Sequence, residues 1–282
     1  MTGQTVNKVK LSPPTELIGK ACERRTTRAA AWSLLGALIA APPVCGDPVA
    51  AGDCGSPAAG ADLRHCDLSG RKLVGVDMRG ADLRGVNLSN ADLSRADLRG
   101  ADLRKADLRW AKLIESQLSD ADLSGSDMFH VVADRANLDD ARLFKTNLFG
   151  ALLNGIRAHQ AEFTGAYMKD IELEGADLSG ATLRRANLLR IVAIGAVFRD
   201  ADLSYCRLTG AAAEQADFSR ARLTHAQLTG ADLQHALFDG ATLQSADRAN
   251  ARLEGADFSA ALNLPALLRD AAPSAASGDA SR

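Results

Sequence analysis

Aromatic residues are scarce in this chain: two Trp, two Tyr and eight Phe among 282 residues. A core filled by large rings is therefore not available to it. Charge of one sign is missing as well. Lys and Arg total 33 against 35 Asp and Glu, a net of −2, so the basic footprint of a nucleic-acid binder is absent. Long apolar runs are missing too. The longest, Ala29 to Ala41, is thirteen residues, too short to span a bilayer. The five His residues (His65, His130, His159, His225 and His235) show no helical metal spacing, and no GxSxG, P-loop or HExxH motif occurs. Nothing here assembles a catalytic constellation. No catalytic residue, cofactor, metal site, small-molecule ligand or nucleic-acid partner is expected.

What is there is a period of five. From Ala61 to Ala260 the chain reads as 40 pentapeptides in unbroken phase. Leu fills 27 of the 40 central positions, and the residue two before the centre is Ala in 28. A helix turns about 100° per residue, so leucines five apart would wander round its circumference. In a flat strand an odd spacing sends each Leu to the opposite face. The pattern fits a chain that bends once per five residues with every centre pointing inward. Stacked bends make a solenoid.

Phe occupies the centres 198, 218, 238 and 258, each 20 from the next, and Phe129 and Phe149 are also 20 apart. Like stacked on like implies four fives per coil and about ten coils at a rung spacing of about 4.8 Å. Large centres beside small ones, such as Phe163 after Ala158 and Phe198 after Ala193, keep a narrow core filled without overpacking.

Repeats such as Ala91 to Arg95 (ADLSR) and Ala96 to Gly100 (ADLRG) resemble the pentapeptide-repeat family. The resemblance covers 200 of 282 residues. It implies an all-β chain: a right-handed quadrilateral parallel β-helix. It also implies a protein that is mostly non-enzymatic, with relatives that imitate a DNA duplex and bind type II topoisomerases.

The organisation expected is a leader over 1–51, an N-terminal cap over 52–60, the solenoid over 61–260, a C-terminal cap over 261–270 and a disordered tail over 271–282. Arg24, Arg25 and Arg28 precede the apolar run, and small residues follow it. That order reads as a signal peptide cleaved after Gly46 or Ala51. The Arg pair resembles a twin-arginine signal, although Thr26 and Thr27 stand where apolar residues belong. Cys66 and Cys206 occupy inward small-residue positions. In an oxidising compartment a Cys45–Cys54 or Cys54–Cys66 bridge would staple the cap. The spacing of Cys45, Cys54, His65 and Cys66 matches no standard zinc pattern.

Asp62, Asp82, Asp102 and Asp122 recur at 20 as an outward column, with Arg64, Arg84 and Arg104 two residues on. Like charges at rung spacing repel, and the Arg column offsets this. A solvated, self-neutralising face is expected. Gly recurs at the fifth position, where corners use positive φ. Arg248 stands at a centre of the last coil and is expected to reach out of the open end.

Between Trp110 and Val197 the exterior changes. Phe129, Phe149 and Leu189 share one outward column, broken by Lys169; Val132, Leu152 and Val192 share the next, broken by Glu172. Contiguous apolar surface on a soluble chain marks docking sites, so these six residues form the candidate partner-binding strip. The sequence thus describes an exported, periplasmic or secreted solenoid that binds a protein partner or itself. Its mature form has no membrane span. The alternatives are a cytoplasmic DNA-mimicking gyrase binder and, third, an enzyme using the outer face. Mass spectrometry of protein from the native host is expected to show a mature N-terminus after Gly46 or Ala51; an intact Met1 in the cytoplasmic fraction rejects the signal reading.

Overall fold

The computed structural model of the protein describes residues 53–262. The leader, the tail, Cys45 and most of the expected C-terminal cap lie outside them. From Asp62 to Thr242, the second residue of every five makes a parallel bridge to the residue 20 further on. One such series runs Asp62, Asp82, Asp102 and onward by twenties to Leu262. The chain therefore closes one coil in four fives, as the Phe spacing implies. In the first coil side one is 61–65, side two 66–70, side three 71–75 and side four 76–80; each later coil adds 20. The strands of an all-β chain are reduced to isolated single-residue bridges, because the chain turns before a second residue can pair.

The backbone bonding shows why five residues are enough. Leu63 N–H donates to the Asp82 carbonyl at 2.8 Å, His65 N–H to Arg84 at 3.2 Å, and Asp82 N–H to Ala61 at 2.9 Å. Cys66 N–H closes a turn onto the Leu63 carbonyl at 3.1 Å. That leaves the N–H of the fourth residue. Arg64 N–H donates to Asp62 Oδ1 at 3.2 Å, Ser94 N–H to Asp92 Oδ1 at 3.1 Å, and Ser179 N–H to Asp177 Oδ1 at 3.0 Å. The recurrent Asp or Asn at the second position is thus a backbone cap. Where that position holds another residue, a side chain from the preceding coil can do the same. Asn154 N–H takes Asp134 Oδ1 at 3.0 Å, and Glu174 N–H takes Asn154 Oδ1 at 2.9 Å.

Each turn places its third residue at positive φ. Every fifth residue from Gly60 to Gly255 has φ near +60°. The sequence expectation covered the glycines only, yet 23 non-glycine residues adopt this conformation too, with φ between 52° and 62°. An L-residue pays roughly 1–2 kcal/mol for it. None of the 23 is β-branched, as the severe clash of such side chains in this region requires.

The centres and the residues two before them line the interior. Leu63, Leu83, Leu103 and Leu123 are fully buried, as are Ala81, Ala121 and Ala141. Phe198, Phe218, Phe238 and Phe258 stack with centroids 5.1, 5.1 and 4.6 Å apart and planes within 8°. Such contacts contribute about 0.5–1.5 kcal/mol each beyond area burial. Cys206 is buried and free. Burial pushes its thiol far above the ordinary cysteine range, which makes it inert. Cys54 and Cys66 form a disulfide, Cα to Cα 5.5 Å, so of the two expected bridges this one is present. Arg71, at an inward position of the first coil, donates to the Cys54 carbonyl at 2.8 Å. At the other end, half-buried Arg248 lines an apolar pocket with Leu228, Leu243, Leu253 and Phe258.

The corner conformation is directly testable at Arg95, which has φ of 59°. Arg95→Gly is expected to be neutral or stabilising, whereas Arg95→Val should lose about 1–2 kcal/mol or more in urea unfolding. Equal stability of the two variants would refute the turn assignment.

Candidate partner-binding surface

The two candidate columns lie on adjacent sides. Phe129, Phe149 and Leu189 hold the fourth position of side two; Val132, Leu152 and Val192 hold the second position of side three. Phe129 stacks on Phe149 with centroids 5.5 Å apart and planes 9° from parallel. Val132 bridges directly to Leu152, Leu152 to Glu172, and Glu172 to Val192. Leu189 stands two coils beyond Phe149, with Lys169 between. All six strip residues are half-buried, because each packs along its own column.

Three further rings join the strip. Trp110, on the corner between sides two and three, stacks on His130 at 4.4 Å and meets Phe129 edge-on at 5.5 Å. Tyr167, on side two, stacks on Phe149 at 6.0 Å. Trp110 and Tyr167 are 53% and 40% exposed, more open than the six chosen residues. The spacing of 20 between Trp110 and His130 was a usable signal. Tyr167 gave none, because its column is otherwise polar around it. The His130 ring lies over Gly150, where a Cβ would come within 2.5 Å of the imidazole, so Gly150 serves packing as well as the corner. Lys169 Nζ sits 5.6 Å from the Phe149 ring centre, at cation–π range.

The electrostatics differ sharply between this region and the first coils. On side one, Arg64 Nη2 lies 2.7 Å from Asp62, and its Nε lies 3.6 Å from Asp82 in the next coil. Arg84 and Arg104 repeat both contacts up to Asp122. The Asp column is therefore half-buried and doubly engaged, not simply outward. It accepts the backbone N–H on one oxygen and pairs with Arg on both. Side-chain hydrogen bonds from Arg64 and Arg79 hold the Asp62 and Asp77 carboxyls down at about 2. Asp82, Asp97 and Asp102 are lowered by their own arginines, Arg84, Arg99 and Arg104. On side one this ladder ends at Asp122, with Arg142 next in the column; on side two Arg109, paired with Asp107 and Asp127, is followed in its column by Phe129 and Phe149. Among the described residues no cluster of His, Cys, Asp and Glu could hold a metal ion, and no helix is long and apolar enough to cross a membrane.

Comparison with known proteins places this geometry. The pattern of pentapeptide repeats matches in eight copies, over residues 61–100, 91–128, 136–180, 171–220 and 221–259. No curated protein matches. Among solved structures the chain is similar to HetL, a pentapeptide repeat protein involved in heterocyst differentiation regulation from the cyanobacterium Nostoc sp. strain PCC 7120. Identity is 31% over 71% of this chain and 87% of that one, with a TM-score of 0.35. It is similar to QnrB1, a plasmid-mediated fluoroquinolone resistance protein, at 18% identity over 65% of this chain and 89% of that one, TM-score 0.44. It is also similar to a pentapeptide repeat protein of the Arabidopsis thaliana thylakoid lumen, at 26% identity over 42% of this chain and 79% of that one, TM-score 0.17.

The lowered carboxylates set a pH dependence. A group depressed in the folded state stabilises above its unfolded value, about 3.9 for Asp, and that stability is lost as pH falls through the folded value. Thermal stability is therefore expected to hold above pH about 5 and to fall between about 4 and 2. Replacing Arg64, Arg84 and Arg104 together by Gln should make that fall shallower in calorimetry. An unchanged slope would show that the ladder does not shift the carboxyls.

Proposed function

The chain belongs to the pentapeptide-repeat family, whose fold is the right-handed quadrilateral β-helix, and from that premise we propose that it is a non-catalytic protein-binding scaffold. Its docking surface is the aromatic corner between sides two and three. The observation that carries this reading is the ring ladder itself: Trp110, Phe129, His130, Phe149 and Tyr167 in successive contact on the exterior. Exterior positions of this fold need only be polar, and aromatic anchors concentrate interface energy. A rigid rod with one apolar corner positions a partner without needing to move.

The protein acts outside the reducing cytoplasm on this reading. The Cys54–Cys66 disulfide supports it, since such bonds persist in oxidising compartments. The Arg-flanked apolar run over 29–41 agrees. The gyrase-binding alternative draws less support, because the Asp columns that would imitate a phosphate backbone are engaged by arginines of the same chain.

The double variant Phe129→Ser plus Phe149→Ser touches no centre, so its circular dichroism should match the wild type. It is expected to lose capture of binding partners from periplasmic extract, whereas Arg222→Ser on side one should keep it. Retained capture by the strip variant would remove the corner from consideration.

A further inference from the structure

The two interruptions of the strip are opposite in charge and lie in the same coil. In coil four the side-two and side-three members are Phe129 and Val132, in coil five Phe149 and Leu152, and in coil seven Leu189 and Val192. In coil six they are Lys169 and Glu172. At each of these four levels the two columns therefore match in kind: apolar with apolar three times, cation with anion once. Within one chain the charged pair is not used. Lys169 Nζ lies 3.8 Å from Asp170 and over the Phe149 ring, while Glu172 Oε2 accepts from Asn154 Nδ2 at 3.1 Å.

Resting on the scaffold reading above, we propose that the occupant of this corner is a second copy of the same chain, with side two of one copy laid on side three of the next, rods parallel and coils level. This register sets Phe129 against Val132, Phe149 against Leu152, and Lys169 against Glu172 of the neighbour. Four identical five-residue sides, each ended by the same turn, make a square section, so adjacent sides face directions a quarter turn apart. A contact between unlike surfaces closes into a ring when its rotation divides a full circle. Here the ring closes at four copies, with the shared corner at the axis. The corner carries the Trp110–His130 stack, which four copies would gather round the axis, and Asp170 and Arg190, already paired within each chain at 2.7 Å, so no uncompensated Asp or Arg charge gathers there. An antiparallel contact level at coil six would also set Lys169 against Glu172, but it would put Phe129 against Ala212 in place of Val132, so the parallel register matches more apolar surface.

The test is sedimentation velocity with light scattering on the full chain at micromolar concentration. The expected mass is four times that of the monomer. Lys169→Glu places like charges in contact at all four interfaces and should raise the dissociation midpoint at least about tenfold. Adding Glu172→Lys should restore it, an outcome that a purely apolar contact would not give. A wild type that stays monomeric overturns self-assembly but leaves the scaffold reading standing. A dimer overturns ring closure. A tetramer indifferent to Phe129→Ser plus Phe149→Ser overturns both the register and the corner as a docking surface. Failure of the charge reversal to rescue overturns the level, parallel arrangement.

Discussion

A chain that bends every fifth residue must hold every fifth residue at positive φ, and the rest of the rod follows from that turn. The turn bond consumes the N–H of the first residue in the next five. The flat part between turns is long enough for one bridge, whose bonds use the N–H groups around it. One donor per five is left over, and a short side-chain acceptor two residues earlier takes it. Asp and Asn have the length for this; an apolar residue would leave a backbone donor dependent on water or on a neighbouring coil. The second-position Asp is therefore structural before it is electrostatic.

The same economy explains how the exterior is divided. In the first coils the capping Asp also binds the Arg two residues on through both of its oxygens, and Arg64 and Arg84 each reach the Asp of the next coil. A charged face built this way is internally satisfied and offers a partner little. Where the fourth position turns to Phe at 129 and 149, the caps persist: the N–H groups of Phe129 and Phe149 still reach Asp127 and Asn147. Surface character changes while the backbone scheme stays fixed, because the fourth residue contributes only its backbone N–H and carbonyl to the fold.

Most of the fold was legible because the period of five and the recurrence at 20 are set by burial, and burial leaves its mark in residue type. The Phe centres at 198, 218, 238 and 258 reported coil length directly. The candidate strip was legible as a pair of columns through the recurrence at 20 alone, since apolar residues recur there at exterior positions. What stayed hidden depended on direction, not register. Sequence spacing could not show that Phe149 leans onto Tyr167, or that His130 lies flat over Gly150. The role of Asp at the second position was also missed, since an outward carboxylate and a capping one look alike in sequence. The bridge was narrowed only to Cys45–Cys54 or Cys54–Cys66, because these cysteines precede the repeat or sit at its first coil, where no period fixes their neighbours.

The bridges of this rod join each residue only to the one 20 away, and that gives insertions and deletions two different grammars. Loss of five residues, say 136–140, would leave every later centre a centre and every later corner a corner. The interior would scarcely register it. The exterior downstream would rotate by one side, carrying Phe149 from side two to side one and out of contact with Phe129. Only a change of 20 leaves both untouched, shortening or lengthening the rod by a whole coil. Lineages of such chains can thus vary in length by fives while keeping a fold, but they keep a surface only when the change comes by twenties.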